Sequence, residues 1–293
     1  MILAPEVEEA GSAGGPLVAV ETSVLAQGLP EPRNLEVAAV VEEAIRGAGA
    51  VPAWTWVDGG EIRVGAEEAD LARVCSEGAP KVARRDLPVA VTSGGLGATT
   101  VSAALWIAHR AGIEVMVTGG IGGVHPDTGD VSADLLELAR TPGTVVCAGP
   151  KSITDPAATL ERLEELGVGV VGYGVDRLPF FLAREAPLEL EHRVDSPKEA
   201  AAVVRARAEL ADPSALLVCV PIPEESAMDG DEVAAAVRRC EERAAREGIR
   251  GKEVTPFLLD CLAEETGGRS LDANVRLLVE NARVAAAIAA VLP

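Results

Sequence analysis

Aromatic residues are almost missing from this chain. Three Trp, three Phe and one Tyr make up 2% of its 293 residues. A core of this size must therefore be packed from Ala, Val and Leu, with close helix–sheet contacts in place of large rings. Lysine is scarce as well: only Lys81, Lys151, Lys198 and Lys252 occur, and arginine supplies the remaining positive charge. The five cysteines, Cys75, Cys147, Cys219, Cys240 and Cys261, are scattered, with no CxxC pair and no Cys/His pair at zinc spacing. That excludes zinc ribbons and thioredoxin-like motifs and fits a reducing compartment. Positive charge is in deficit, with 26 Lys and Arg against 46 Asp and Glu, a net charge of −20. Nucleic-acid and anionic-membrane partners, which need basic surfaces, are not expected. No apolar run is long enough to read as a membrane span. Residues 1–16, acidic and rich in Gly and Ala, lack the basic and apolar regions of a signal peptide and read as a disordered tail. A cytoplasmic protein is expected, with residues 17–293 as one catalytic domain.

Hydrophobic residues, at 48%, are sufficient for a substantial core. Leu17–Val20, Val51–Val57, Glu61–Val64, Val89–Thr92, Val115–Val117, Thr144–Ala148, Val168–Gly172 and Ala215–Val220 read as strands. The second and third of these form a hairpin about Asp58-Gly59-Gly60. Helical spacing marks Leu35–Ala48 behind an Asn34 cap, then Glu67–Cys75, Val101–Ala111, Ala133–Ala139, Ala157–Leu166 and Lys198–Leu210. Strands alternating with helices predict right-handed crossovers and an α/β class fold. Its expected form is a three-layer α/β/α stack, with a mostly parallel or mixed central sheet and a helical C-terminal third.

The densest chemistry lies between residues 117 and 153. A buried strand runs into Gly119, Gly120, Gly122 and Gly123, residues that tolerate φ > 0 and let backbone amides approach a ligand. His125, Asp127, Asp130, Ser132 and Asp134 follow, and Ser132 or Asp130 can cap the next helix. A second strand then delivers Gly149-Pro150-Lys151-Ser152. A lysine just past a buried strand sits at the C-terminal sheet edge, where open α/β folds bind ligands. The glycine run is neither a Walker A motif nor GxGxxG leading directly into a helix, so a structural turn explains it as well as a phosphate cradle. Glu21 at a strand end is equally a solvated carboxylate or a general acid. Lys81, Arg84 and Arg85 precede a Ser/Gly/Thr loop, which favours phosphate over a solvated charge run. Asp130 and Asp134 suit either capping or a hard cation completed by water. Asn274, inside the last helix, either faces solvent or reaches the site.

Together these segments resemble the pseudouridine-5′-phosphate glycosidases from Val20 to Ile288. The resemblance is carried by VETSVLAQGLPEPRNLE, KVARRDLPVAV, TGGIGGVH, DVSADLLEL, VVCAGPKSI, PIPEE, GIRGKEVTPFLL and SLDANVRLLVENA. It implies reversible cleavage of pseudouridine 5′-phosphate to uracil and ribose 5-phosphate, one Mn2+ per subunit and a homotrimer. It assigns Glu21 as proton donor and Lys151 as nucleophile. Lys81, Val101, Ser132, Ala133, Asp134 and Asn274 match substrate-binding positions, and Asp130 matches the metal ligand. The chain departs from the family at Gln27, where His is usual, at Val220, where Asn is usual, and in a shortened loop between His125 and Asp130.

The bond in question joins a sugar carbon to a ring carbon, so no glycosidic oxygen is available to protonate and a carboxylate pair is a poor fit. A carboxylic acid can protonate the leaving carbon. A lysine amine can take the sugar carbon as an iminium that water hydrolyses. Such an amine must be partly neutral, which burial or a nearby cation favours. The alternatives are a Schiff-base lyase or aldolase acting on another ribosyl phosphate, and a non-catalytic sugar-phosphate sensor.

Overall fold

The computed structural model describes residues 1–126, 130–250 and 254–292. One sheet organises all of them, and its elements are numbered here in chain order. β1 (Ile2–Leu3) and helix α1 (Pro5–Ser12) begin the chain, followed by β2 (Leu17–Glu21), α2 (Ser23–Ala26) and α3 (Arg33–Gly47). β3 (Val51–Asp58) and β4 (Glu61–Val64) form the expected antiparallel hairpin. Its two-residue turn, Gly59-Gly60, has φ of 59° and 82°, a primed turn that only residues without a Cβ adopt cheaply. Next come α4 (Glu68–Ser76), β5 (Lys81–Val82), α5 (Leu87–Ser93), β6 (Gly97–Thr99), α6 (Val101–Arg110) and β7 (Val115–Val117). α7 (Ala133–Leu138), β8 (Gly143–Cys147), α8 (Pro156–Glu165), β9 (Gly169–Tyr173), β10 (Arg193–Val194), α9 (Pro197–Glu209) and β11 (Ala215–Cys219) follow. The C-terminal third is helical: α10 (Gly230–Glu247), α11 (Val254–Glu265) and α12 (Arg269–Ala289).

The sheet order is β1-β4-β3-β2-β7-β8-β11-β9-β10, with β6 paired to β3 and β5 to β6. β2, β3, β7, β8, β11, β9 and β10 run parallel, and β4 and β6 are antiparallel to β3, so the sheet is mixed but mostly parallel. The two-residue alternation of strands divides the core into two layers. Val18, Val20, Val115, Val117, Val146, Ala148 and Val218 face one way, onto residues of α3, α9, α10, α11 and α12. Ala19, Met116, Val145, Cys147, Leu217 and Cys219 face the other way, onto α1, α5, α6, α7 and α8. This is the three-layer α/β/α arrangement. α12 packs against β2, β7 and β8, and Ala273, Ala282, Ala285, Ala286 and Ala289 on it are all buried. Small side chains there do what large rings do in other cores.

Three expectations need correction. The N-terminal residues are ordered: β1 pairs with β4, and α1, with Pro5 at its first turn, buries Val7. The Glu-rich composition suggested a tail, but it belongs to the solvent face of an amphipathic helix. Val89–Thr92 is not a strand but lies in α5; Pro88 opens that helix, Val89 is exposed, and the Thr92 hydroxyl back-bonds to Pro88 and Val89 carbonyls. A β-branched run without a buried neighbour strand followed the helix instead. Asn34 is not a cap, because α3 starts one residue earlier; its amide donates to the Leu25 carbonyl and so ties α3 to α2.

Cys240 and Cys261 also form a disulfide between α10 and α11, whereas Cys75, Cys147 and Cys219 are free and buried. The scattered spacing concealed that pair, and it does not fit the expected reducing compartment. Among the described residues, no helix is long and apolar enough to cross a membrane.

Candidate active site

In chain order, β2 hands on to β3 on one side, while β7, on its other side, hands on to β8 in the opposite direction. The C-terminal ends of β2 and β7 therefore flank a topological switch point, the usual place for a ligand in an open α/β sheet. Glu21 ends β2 there and is only 2% exposed. Its Oε2 accepts the Ser23 hydroxyl at 2.6 Å and the Val24 amide at 2.9 Å, and its Oε1 accepts the Thr118 hydroxyl at 3.1 Å. Burying a carboxylate without donors is costly, and these three hold it in place. Thr22, Thr55 and Thr99 stitch the strand end beneath it. Thr22 donates to the Thr55 carbonyl at 2.8 Å, Thr99 does so at 2.6 Å, and the Thr99 amide donates to the Thr22 hydroxyl at 3.0 Å.

The glycine run after β7 serves packing more than backbone freedom. None of Gly119, Gly120, Gly122 or Gly123 has positive φ. A Cβ on Gly120 would come within 2.7 Å of Phe181, one on Gly122 would strike Ser132, and one on Gly123 would strike Thr159. The loop is pinned from both sides. Asn281 on α12 donates to the Thr118 carbonyl at 2.8 Å and the Gly119 carbonyl at 3.1 Å. Asp134 accepts the Gly122 amide at 3.0 Å and, through its other oxygen, the Ser102 amide of α6 at 3.0 Å. Ser132 caps α7 through the Asp134 amide, which decides between the two expected caps.

Positive φ is needed instead at Gly149 (φ 80°), where the chain leaves β8 against the Pro179 carbonyl. That turn presents Lys151. Its amide donates to the Ile121 carbonyl at 3.0 Å, and its own carbonyl accepts the Thr154 amide at 2.9 Å, so the lysine's backbone is locked to the glycine loop.

Two hollows meet along Ser23, Lys81, Lys151 and Thr255. A polar chamber of about 240 Å³ is lined by Lys81, Arg85, Val101, Ser102, His125, Asp130, Ser132, Ala133, Asp134 and Lys151, among others. A smaller recess adjoins it and is lined by Glu21, Gln27, Lys81, Thr118, Lys151, Asn274 and the apolar Val24, Phe181, Pro256 and Leu259, among others. All nine residues given a role by the family resemblance thus line one hollow or both, while Arg84, Val220 and Lys198 line neither. Asp127, the shortened loop around it and Lys252 lie outside the described residues. Val101 and Ala133 contribute wall and backbone rather than side-chain chemistry. Asp134 contributes the clamp between loops. Burial pushes the His125 imidazolium pKa down, against the opposing pull of Asp130.

Sequence reading missed Thr118, Ser102 and Asn281. Asn281 had a usable signal: it lies seven residues after Asn274, on the same face of α12, and is fully buried. Among the described residues, no group of three His, Cys, Asp or Glu side chains could hold a metal ion. Asp130 in the polar chamber fits a cation held by one carboxylate and completed by water and ligand oxygens, as hard divalent ions accept.

The matched family model is that of the indigoidine synthase A like protein, over residues 6–291. The pseudouridine-5′-phosphate glycosidase of Symbiobacterium thermophilum is 49% identical, covering 98% of this chain and 96% of its own length. That of Myxococcus xanthus is also 49% identical, covering 97% and 95%. Among solved structures, the prealnumycin C-glycosynthase AlnA in complex with ribulose 5-phosphate superposes with a TM-score of 0.91 at 40% identity, covering 99% of this chain and 96% of that one. An indigoidine synthase A-like protein from Thermotoga maritima gives 0.90 at 39%, covering 94% and 93%. With matches of this length and identity, the chain belongs to the indigoidine synthase A-like family.

Proposed function

We propose that the protein is a pseudouridine-5′-phosphate glycosidase, which cleaves the C–C glycosidic bond reversibly to uracil and ribose 5-phosphate. The observation that carries this reading is the position of Lys151 between a polar chamber and a drier recess that holds a buried carboxylate. The name shared by relatives at 49% identity and a neighbour crystallised with ribulose 5-phosphate support a sugar-phosphate substrate. The phosphate and sugar occupy the polar chamber, within reach of Lys81 and Arg85. The base occupies the recess. Neutral Lys151 attacks C1′, its nitrogen bonds to that carbon, and the C1′–O4′ bond breaks as the ring oxygen takes a proton. The nitrogen lone pair then forms C=N while the bond to the uracil carbon breaks, its electrons staying with the ring. Glu21 delivers a proton to that carbon. Water adds to the iminium and releases ribose 5-phosphate and the free amine.

A manganese ion, held by Asp130 with water and phosphate oxygens, would supply positive charge for binding the anion. Asp130→Ala should weaken manganese binding in a calorimetric titration; unchanged binding would remove Asp130 as its ligand. The defining experiment is uracil release from pseudouridine 5′-phosphate, set against uridine 5′-phosphate, with and without manganese. Release from both nucleotides alike would favour a less selective lyase.

Self-association, as a homotrimer, belongs to the same proposal. Beside the polar chamber, a groove is lined by Arg84, Arg110 and Arg140 around Trp106, on a chain whose net charge is −20. Arg84 and Arg110 stack on the indole at 4.1 and 5.9 Å, and Val131 and Leu136 are exposed along the groove. Arg and Trp beside exposed aliphatic groups is the composition of an interface core. Light scattering should give three chains per particle, and Arg110→Glu should lower that number. A cytoplasmic location suits charged, phosphorylated substrates; oxidation of Cys240 and Cys261 in cells would count against it.

A further inference from the structure

The recess contains two buried acceptors with nothing to accept. Gln27 at the end of α2 donates its side-chain Nε2 to the Ala79 carbonyl at 2.6 Å. That bond fixes the amide's orientation, because the flipped rotamer would set two carbonyl oxygens against each other. The Gln27 Oε1 is then buried without a hydrogen-bond partner among the described residues. Asn274, which also lines the recess and is 7% exposed, has an Oδ1 in the same condition, close to Gly119. Unmet buried acceptors are rare, and each is destabilising until a donor meets it. Two in the walls of one recess, beside the buried Glu21, describe a hollow prepared for a ring that brings N–H donors.

We propose that Gln27 is a specificity-determining residue for the leaving ring, its pinned side-chain carbonyl accepting a ring N–H. This rests on the reading that uracil leaves through the recess. A uracil attached through carbon has two ring N–H groups free to donate. A ring of similar size without such a donor leaves Oε1 unmet, and sites built to hydrogen-bond a group reject analogues that lack it.

The test uses the reaction in the direction of synthesis, with uracil and ribose 5-phosphate as substrates, and uracil, 1-methyluracil and 3-methyluracil as competing ligands. Gln27→Met keeps the length and removes both polar atoms. It should raise KM for uracil about tenfold or more, the loss expected for one hydrogen bond of about 1.4 kcal/mol. KM for ribose 5-phosphate and its borohydride-dependent attachment to Lys151, neither of which needs the base, should stay within about twofold of wild type. Wild-type enzyme should discriminate against one of the two N-methyluracils, and Gln27→Met should lose that discrimination. A variant that merely loosened the fold would move both KM values and leave the ratio between uracil and its N-methyl forms intact. Unchanged uracil KM, or an unchanged ratio, overturns the proposal while leaving the glycosidase reading in place. A wild-type enzyme that takes ribose 5-phosphate onto Lys151 but makes no bond to uracil overturns the reading and this proposal together.

Discussion

The polar chamber is walled by Lys81, Arg85, hydroxyls and carboxylates, whereas the recess across Lys151 is walled by Val24, Phe181, Pro256 and Leu259 around one carboxylate. Different parts of the fold build them. α6, α7 and the loop before α7 shape the chamber, and the ends of β2 and β7 with α2, α11 and α12 shape the recess. The contrast follows the two demands of the chemistry. An anion needs charge and donors, which tolerate water. A proton transfer to carbon needs an acid held still where water does not compete. On the proposed reading, Lys151 lines both hollows because the bond that breaks lies between the two demands.

The largest expected effect comes from removing the proposed nucleophile, which lines both hollows. Lys151→Ala should lower uracil release by at least about 10⁴-fold, since a covalent step has no substitute in either hollow. Residual activity within about tenfold of wild type would mean that the two hollows do not meet at the reaction. Next, Glu21→Gln keeps the shape of the recess and removes its acid. Uracil release should fall about 10²–10⁴-fold, while attachment of ribose 5-phosphate to Lys151 persists. Loss of both together would show that the hollows are not separable.

A third variant addresses the charge at the wall between the hollows, since Lys81, like Lys151, lines both. Lys81→Ala should narrow the enzyme's preference for pseudouridine 5′-phosphate over the unphosphorylated nucleoside by about 10–100-fold, the range for a hydrogen bond to a charged group. An unchanged ratio of kcat/KM for the two would make Lys81 a wall residue. The smallest effect concerns the support of the recess. Asn281→Ala removes two hydrogen bonds to the loop that carries Thr118, and urea denaturation should report a loss of about 1–3 kcal/mol. Its effect on KM for uracil should exceed that on KM for ribose 5-phosphate.

The chamber was easier to read from sequence than the recess. Lys81, Asp130, Ser132 and Asp134 announce themselves as charge and hydroxyls beside strand ends and caps, local patterns that spacing exposes. The recess is assembled from distant parts. Glu21 meets Thr118 across 97 residues, and Asn281 reaches the glycine loop across 162 and 163. Nothing local marks Thr118 as a carboxylate's partner; the pairing of β2 with β7 creates that contact. The glycines were found for the wrong reason, as the neighbours that exclude a Cβ, Phe181, Ser132 and Thr159, are visible only once the chain is folded. The central strands and most helices followed from periodicity, because burial on both faces of a parallel sheet leaves short apolar runs between helical repeats. That logic failed at Val89–Thr92, where the same residue types lie on a solvent-facing helix, and at residues 1–16, where an acidic face concealed a buried Val7.

The central claim is that the amine standing between the two hollows becomes bonded to the sugar. Incubating the protein with ribose 5-phosphate and borohydride reduces any iminium to a stable amine, and peptide mass spectrometry then locates it. The account predicts one pentose phosphate on Lys151, absent from Lys151→Ala and retained in Glu21→Gln. An adduct on Lys81, Lys198 or Lys252 instead, or none at all in an enzyme that still releases uracil, would contradict it.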